Sequence, residues 1–168
     1  REIARRFNNQ YGEIFPEPDP LLTKFSRLTG LDGNAKMSKS LGNTILLSDD
    51  PETVKQKMKK AAIDPNKIKK DTPGNPDVCT VFSYHKKFNA DNINEIDSDC
   101  RGGAIGCFDC KMKCAAKISE FLSPIIEKRN YFESRVEEVK DILDDGEKRG
   151  RQVAKHTMDE VHEKMKLG

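Results

Sequence analysis

Four of the five cysteines in this chain are crowded between Cys100 and Cys114, and the fifth, Cys79, stands upstream of them. That distribution constrains the fold more than any other feature. An odd number of thiols argues against a secreted scaffold of paired disulfides. The chain opens on Arg1-Glu2-Ile3-Ala4-Arg5-Arg6, with no apolar signal segment. A reducing compartment is expected, and clustered cysteines there point to a metal. Cys79, Cys100, Cys107 and Cys110 have the form Cys-x20-Cys-x6-Cys-x2-Cys. Cys107 and Cys110 make a tight chelating pair, and Cys100 can fold back over Gly102, Gly103 and Gly106. Four thiolates suit either a [4Fe–4S] cluster or Zn²⁺. Cys114, one turn past Cys110, reads as a buried helix residue, with replacement of Cys79 as fourth ligand the other option.

The rest of the chain reads as helical. Hydrophobic and charged residues each make up 35 % of its 168 residues, too apolar and too patterned for disorder. No apolar run approaches the ~20 residues of a membrane span. A net charge of +2 argues for no nucleic-acid partner by itself, although Lys and Arg gather at 55–60, 67–70 and 148–151. The first residue is not Met and falls within a helical pattern, so a truncation is expected. The first ten residues predict an amphipathic helix with Ile3, Ala4 and Phe7 on one face. Ile45-Leu46-Leu47 is apolar and of strand length. Asp50-Pro51-Glu52 announces a helix start through an acidic N-cap, proline at the first helical position and an acid in the first turn. Val54, Met58, Ala61 and Ala62 continue that helix. Residues 78–88 predict an aromatic helix. Three more are expected: Ala115 to about Lys128, ended or kinked by Pro124; Glu133 to Leu143, with Val136, Val139, Ile142 and Leu143 buried; and Glu147 to Met165, with Val153, Ala154, Met158, Val161 and Met165 buried. His85 reads as a packing residue beside Tyr84. His156 and His162 do not share a helical face, and none of the three is a convincing metal ligand.

Lys36-Met37-Ser38-Lys39-Ser40 lies between Gly30/Gly33 and Gly42. Two ammonium groups three residues apart, with hydroxyls and amides between them, suit a polyphosphate. The segment is no Walker A loop. A surface loop with incidental lysines is the ordinary reading of such a pentapeptide, and its context decides against that.

Lys36-Met37-Ser38-Lys39-Ser40, with Leu31-Asp32-Gly33 before it and Asn43-Thr44-Ile45 after, resembles the signature of class I aminoacyl-tRNA synthetases. Three further stretches resemble the tryptophanyl-tRNA synthetases. They are residues 1–8, the Asp71-Thr72-Pro73-Gly74-Asn75-Pro76 segment with the aromatic residues after it, and Gly106-Cys107-Phe108-Asp109-Cys110-Lys111. The resemblance implies a mainly α chain in two parts. Residues 1–50 would be the end of a Rossmann-type nucleotide-binding fold with its mobile lysine loop. Residues 51–168 would be a helical domain for the tRNA anticodon, carrying the cysteine cluster. It implies that Lys36 and Lys39 contact ATP phosphates, with Mg²⁺, as the adenylate forms, Met37, Ser38 and Ser40 completing the binding loop. Tryptophan and tRNA(Trp) would be the other substrates, the whole enzyme a cytoplasmic homodimer, and Lys148, Arg149, Arg151 and Lys155 candidates for tRNA contact. A subset of bacterial members holds a [4Fe–4S] cluster on cysteines spaced much like these, so the resemblance favours the cluster over Zn²⁺. The other class I signature, His-Ile-Gly-His, is absent, so the chain alone is expected to be inactive. Two other readings are a free-standing iron–sulfur tRNA-binding module without catalysis and a tyrosine-specific relative. The lysine loop speaks against the first, and the Pro-Gly-Asn-Pro segment and the cysteines against the second.

Overall fold

The computed structural model describes residues 1–23, 25, 27–34 and 36–167, and among them it is helical with no strand. The chain divides into two compact units, Lys24–Asn130 and Arg1–Thr23 with Tyr131–Gly168. Residues 50 and 51, where the sequence suggests a domain boundary, both lie within the first unit.

That unit is built on α2 (Pro51–Lys59), α3 (Thr80–Phe88), α4 (Ile93–Arg101) and most of α5 (Cys107–Glu133). Helix α2 starts as its sequence predicts: the Asp50 carboxylate accepts the Thr53 amide at 2.7 Å, with Pro51 next in line. It stops at Lys59, short of Ala61 and Ala62. There the backbone turns to let the Ala62 amide donate to the Leu31 carbonyl at 2.7 Å. Val54 and Met58 are fully buried against Leu31, Val81, Tyr84, Cys114, Ile118 and Leu122. Tyr84 donates from this core to the Thr29 carbonyl at 2.7 Å, so α3 anchors the segment leading into the lysine loop. Ile45-Leu46-Leu47 forms no strand; Ile45 packs on the core edge, and the Leu46 amide bonds the Asp49 carboxylate at 2.8 Å.

Helix α5 is longer than the sequence suggests. It opens at Cys107 and continues through Pro124 to Glu133. The proline removes one helical hydrogen bond at a cost of about 3 kcal/mol, but Leu122 is buried just before it and Ile126 packs on the core just after. Packing on both sides offsets the defect.

In the other unit, α1 (Glu2–Tyr11) leaves Ile3 84 % exposed, so the expected apolar face is not buried. Phe7 instead packs tilted on Tyr11 and edge-on to Phe15, at 5.0 and 4.9 Å between ring centroids. The two expected C-terminal helices form one, α6 (Val136–Met165), which passes through Gly146 and Gly150. Each glycine costs about 1 kcal/mol against alanine. Neighbouring turns are tied by Arg149–Asp145 at 2.9 Å and Arg151–Glu147 at 2.6 Å. The expected buried stripes are also corrected: Val136, Ile142, Leu143, Val153 and Met158 are exposed, and Val161 is the buried residue of the helix among those described.

Candidate functional sites in the lysine loop and the thiol cavity

The lysine loop is held at its base by one buried side chain. Asn43 donates from Nδ2 to the Asp32 carboxylate at 3.0 Å and to the Lys36 carbonyl at 3.1 Å. Its Oδ1 accepts the Ser38 amide at 2.8 Å. The Asn43 carbonyl takes the Leu31 amide at 2.9 Å, which ties the loop to a core residue. Gly30 makes the close approach possible: a Cβ there would stand 2.1 Å from Asn43 Nδ2 and 2.5 Å from Asp32 Oδ1. Burial opposes ionisation of Asp32, but hydrogen bonds from Asn34 and Asn43 outweigh it and hold the carboxyl below its ordinary range.

Beyond this clamp the loop is open. Lys36, Lys39 and Ser40 are exposed, and Met37 packs against the core. The Ser38 and Ser40 hydroxyls lie 2.9 Å apart at the start of a 3₁₀ turn over Lys39–Leu41. Among the described residues, neither Lys36 nor Lys39 forms an ion pair. Lys39 shares a cleft with Met37, Thr44 and Ile45 and with Arg129 of α5. Two cationic side chains and a hydroxyl-lined turn on an anchored base can receive an anion such as a polyphosphate. Asn43 and Asp32 are the structural parts of this site that sequence reasoning passed over. Both lie in the stretches that flank the lysines, so their position was visible but their side-chain roles were not.

The four cysteines come together by a different route. Cys79 caps the start of α3, Cys100 lies near the end of α4, Cys107 opens α5, and Cys110 follows one turn later. All four line one cavity with Ile63, Asp64, Lys67, Val81 and Ile105. Cys114 is buried in the core and is not among the lining residues. The Gly74 amide donates to the Cys100 carbonyl at 2.8 Å, and a Cβ at Gly74 would stand 2.8 Å from both Cys100 Sγ and Lys67 Cδ. The Pro-Gly-Asn-Pro turn therefore lies directly against the thiol.

Burial pushes the Cys110 thiol up to about 12, and its neighbours Cys79, Cys100 and Cys107 push in the same direction. Cys100 and Cys107 are raised first by burial, with Lys67 pulling against it. Among the described residues, no group of three or more His, Cys, Asp or Glu side chains is disposed to hold a metal ion. His85 is fully buried, as a packing residue should be. Its Nδ1 faces the Asn89 amide nitrogen at 3.1 Å, and its Nε2 faces the Cys110 carbonyl at 3.1 Å and Cys110 Sγ at 3.4 Å. An Asn89 Nδ2 donor leaves the proton on Nε2, directed at Cys110.

The family tRNA synthetases class I (W and Y) matches residues 1–123, and the chain belongs to it. Within that family the similarity runs to the tryptophan enzymes. The chain is 46 % identical to the tryptophan–tRNA ligase of Aquifex aeolicus, over 99 % of this chain and 42 % of that protein. It is 41 % identical to that of Treponema pallidum, over 99 % of this chain and 50 % of the relative. A crystal structure of tryptophanyl-tRNA synthetase from Campylobacter jejuni, complexed with ADP and tryptophan, superposes with a TM-score of 0.77. That match has 28 % identity and covers 99 % of this chain and 52 % of the other. The chain thus spans about half the length of the relatives it matches. No helix among the described residues is long and apolar enough to cross a membrane.

Proposed function

We propose that the chain is the part of a tryptophan–tRNA ligase that handles the ATP phosphates and the tRNA. The whole enzyme, a cytoplasmic homodimer on this reading, activates tryptophan with ATP and Mg²⁺ and transfers it to tRNA(Trp). One observation carries the proposal: Lys36 and Lys39 stand exposed, with no ion pair among the described residues, on a loop whose base is fixed by Asn43 and Asp32. As the tryptophan carboxylate attacks the α-phosphate, negative charge builds on the departing pyrophosphate. Lys36 and Lys39 stabilise that charge, and Met37, Ser38 and Ser40 shape the loop around the phosphates. No general base is required, because the attacking carboxylate is already ionised. A free-standing tRNA-binding module would have no use for such a loop.

The resemblance, with all four thiols lining one cavity in its support, favours a [4Fe–4S] cluster on Cys79, Cys100, Cys107 and Cys110, with Zn²⁺ the alternative. When bound, such a cluster supplies a cross-link. The cysteines themselves join the start of α3, the end of α4 and the start of α5.

Lys39→Ala in the intact enzyme should lower tryptophan-dependent pyrophosphate exchange by about 10²–10³-fold, the loss of one preorganised charge-stabilising donor. Tryptophan affinity should hardly move, because Lys39 acts on the leaving group. The chain by itself should catalyse no exchange. Normal turnover in Lys39→Ala would remove the role given to the loop.

A further inference from the structure

The cleft that Lys39 shares with α5 carries charge of one sign. Lys39 and Arg129 are its charged lining residues, Thr44 and Ser48 add hydroxyl groups, and no carboxylate lines it among the described residues. Asp49, next to Ser48 in sequence, pairs with Lys57 and accepts the Leu46 amide at 2.8 Å, so its charge is engaged elsewhere. A second cleft, by the base of the loop, is lined by Asp32, Asn43, Glu52, Lys57 and Lys60 and mixes both signs. A cleft lined by cations alone concentrates anions. Its volume of about 470 Å³ falls within the roughly 300–1,000 Å³ of small-molecule sites, room for a triphosphate rather than a lone ion.

The two cations reach the cleft by unlike routes. Lys39 is carried by the loop, at the start of its 3₁₀ turn. Arg129 belongs to α5, where Leu122, Ile126 and Arg129 follow at i, i+4 and i+7. Leu122 is buried and Ile126 packs on the core, so the helical face that anchors α5 delivers Arg129 to the cleft one turn later. A guanidinium on an anchored helix is a preorganised donor. Its planar fork matches two oxygens of one phosphate, where an ammonium offers a point charge.

Resting on the reading of the lysine loop above, we infer that Arg129 is a further catalytic residue of the adenylation step, a fixed guanidinium that binds the leaving pyrophosphate together with Lys39. The tryptophan carboxylate oxygen bonds to the α-phosphorus as the bridging oxygen leaves with the electron pair. Arg129 takes no proton and stabilises the charge that gathers on the terminal phosphates.

Tryptophan-dependent pyrophosphate exchange by the intact enzyme, with pyrophosphate as the varied substrate, provides the test. Arg129→Met should lower kcat/KM for pyrophosphate about 10–100-fold, the contribution of a hydrogen bond to a charged group. Arg129→Lys, which keeps the charge and loses the fork, should fall between Arg129→Met and wild type. Tryptophan KM and Tm should stay at their wild-type values in both, because Arg129 is exposed and touches only the leaving group. Wild-type exchange in Arg129→Met, beside a Lys39→Ala enzyme that has lost it, overturns the inference and leaves the loop reading intact. An Arg129→Met enzyme with normal exchange and a raised KM for tRNA also overturns it, and moves Arg129 to the tRNA surface. A lowered Tm with equal losses toward tryptophan and pyrophosphate overturns it by making Arg129 structural. Normal exchange in Lys39→Ala overturns the loop reading, and the inference with it.

Discussion

Asn43 and Asp32 are joined by a 3.0 Å hydrogen bond that closes the base of the lysine loop. The same Asn43 side chain holds the Lys36 carbonyl and the Ser38 amide, so one residue fixes where both lysines emerge. Removing it leaves the lysines in place chemically but frees their backbone.

Asn43→Ala should therefore act on adenylate formation without removing a charge. A displacement of about 1 Å at a reacting centre can cost about 10²-fold, and a loss of that order is expected in pyrophosphate exchange by the intact enzyme. Gly30→Ala should act alike, because its Cβ would drive Asn43 away from Asp32. Tryptophan KM should remain near wild type in both. An Asn43→Ala enzyme with wild-type exchange would show that the clamp does not govern lysine placement.

The clamp also has a pH dependence of definite sign. Asp32 is held below its ordinary range in the folded chain, so its ionised form is favoured more in the folded state than in the unfolded one. The stability it contributes is fully present above the unfolded value of about 3.9, and is lost as pH falls through the folded one. Thermal melts of wild type and Asp32→Asn should differ at neutral pH and converge in strong acid. A difference that persists unchanged in strong acid would show that Asp32 acts through something other than its charge.

The parts legible in the sequence were those with local causes. The start of α2 follows from Asp50 and Pro51, and the lysine loop from the residues around it. Burial of Cys114 follows from its place one turn after Cys110 on an apolar face. What sequence periodicity could not supply was the partner for each apolar stripe. Ile142, Leu143 and Val153 have helical spacing, yet they lie exposed on α6. Pro124 is locally costly and reads as a kink or an end, and the stretch between Leu143 and Glu147 reads as a gap, but neither the core beside α5 nor the ion pairs along α6 can be seen from one segment. The long-range contacts of Lys67 and Asn43 were hidden for the same reason.

The cysteines should separate into two classes. On the proposed cluster reading, Cys107→Ser and Cys110→Ser should each lose the brown colour of anaerobically prepared protein and lower Tm, since they would remove ligands that join α3, α4 and α5. Cys114→Ala should keep its iron, because that side chain sits in the apolar core. Its cost should be a modest loss of stability, about 1 kcal/mol for the small volume removed. Iron retained in Cys107→Ser and lost in Cys114→Ala would reassign the site.

The last prediction concerns tRNA and the polar face of α6. Lys148, Arg149, Arg151 and Lys155 are all exposed, as the sequence suggests for a phosphate-contacting face. Arg149 is paired with Asp145 and Arg151 with Glu147, whereas Lys148 and Lys155 have no ion pair among the described residues. Exposed pairs of this kind are worth little, about 0–1 kcal/mol, but each carboxylate offsets the charge that its arginine presents. Lys148 and Lys155, two turns apart on one side of the helix, are the stronger electrostatic contacts. Each phosphate neutralised releases counterions, so binding should weaken as salt rises. Reversing both lysines to Glu in the intact enzyme should raise the KM for tRNA more than reversing both arginines, and should flatten its salt dependence. Tryptophan activation without tRNA should be untouched, because the lysine loop is unaltered. Aminoacylation that keeps its wild-type KM and salt slope in the double lysine variant would place the tRNA contact away from this face of α6.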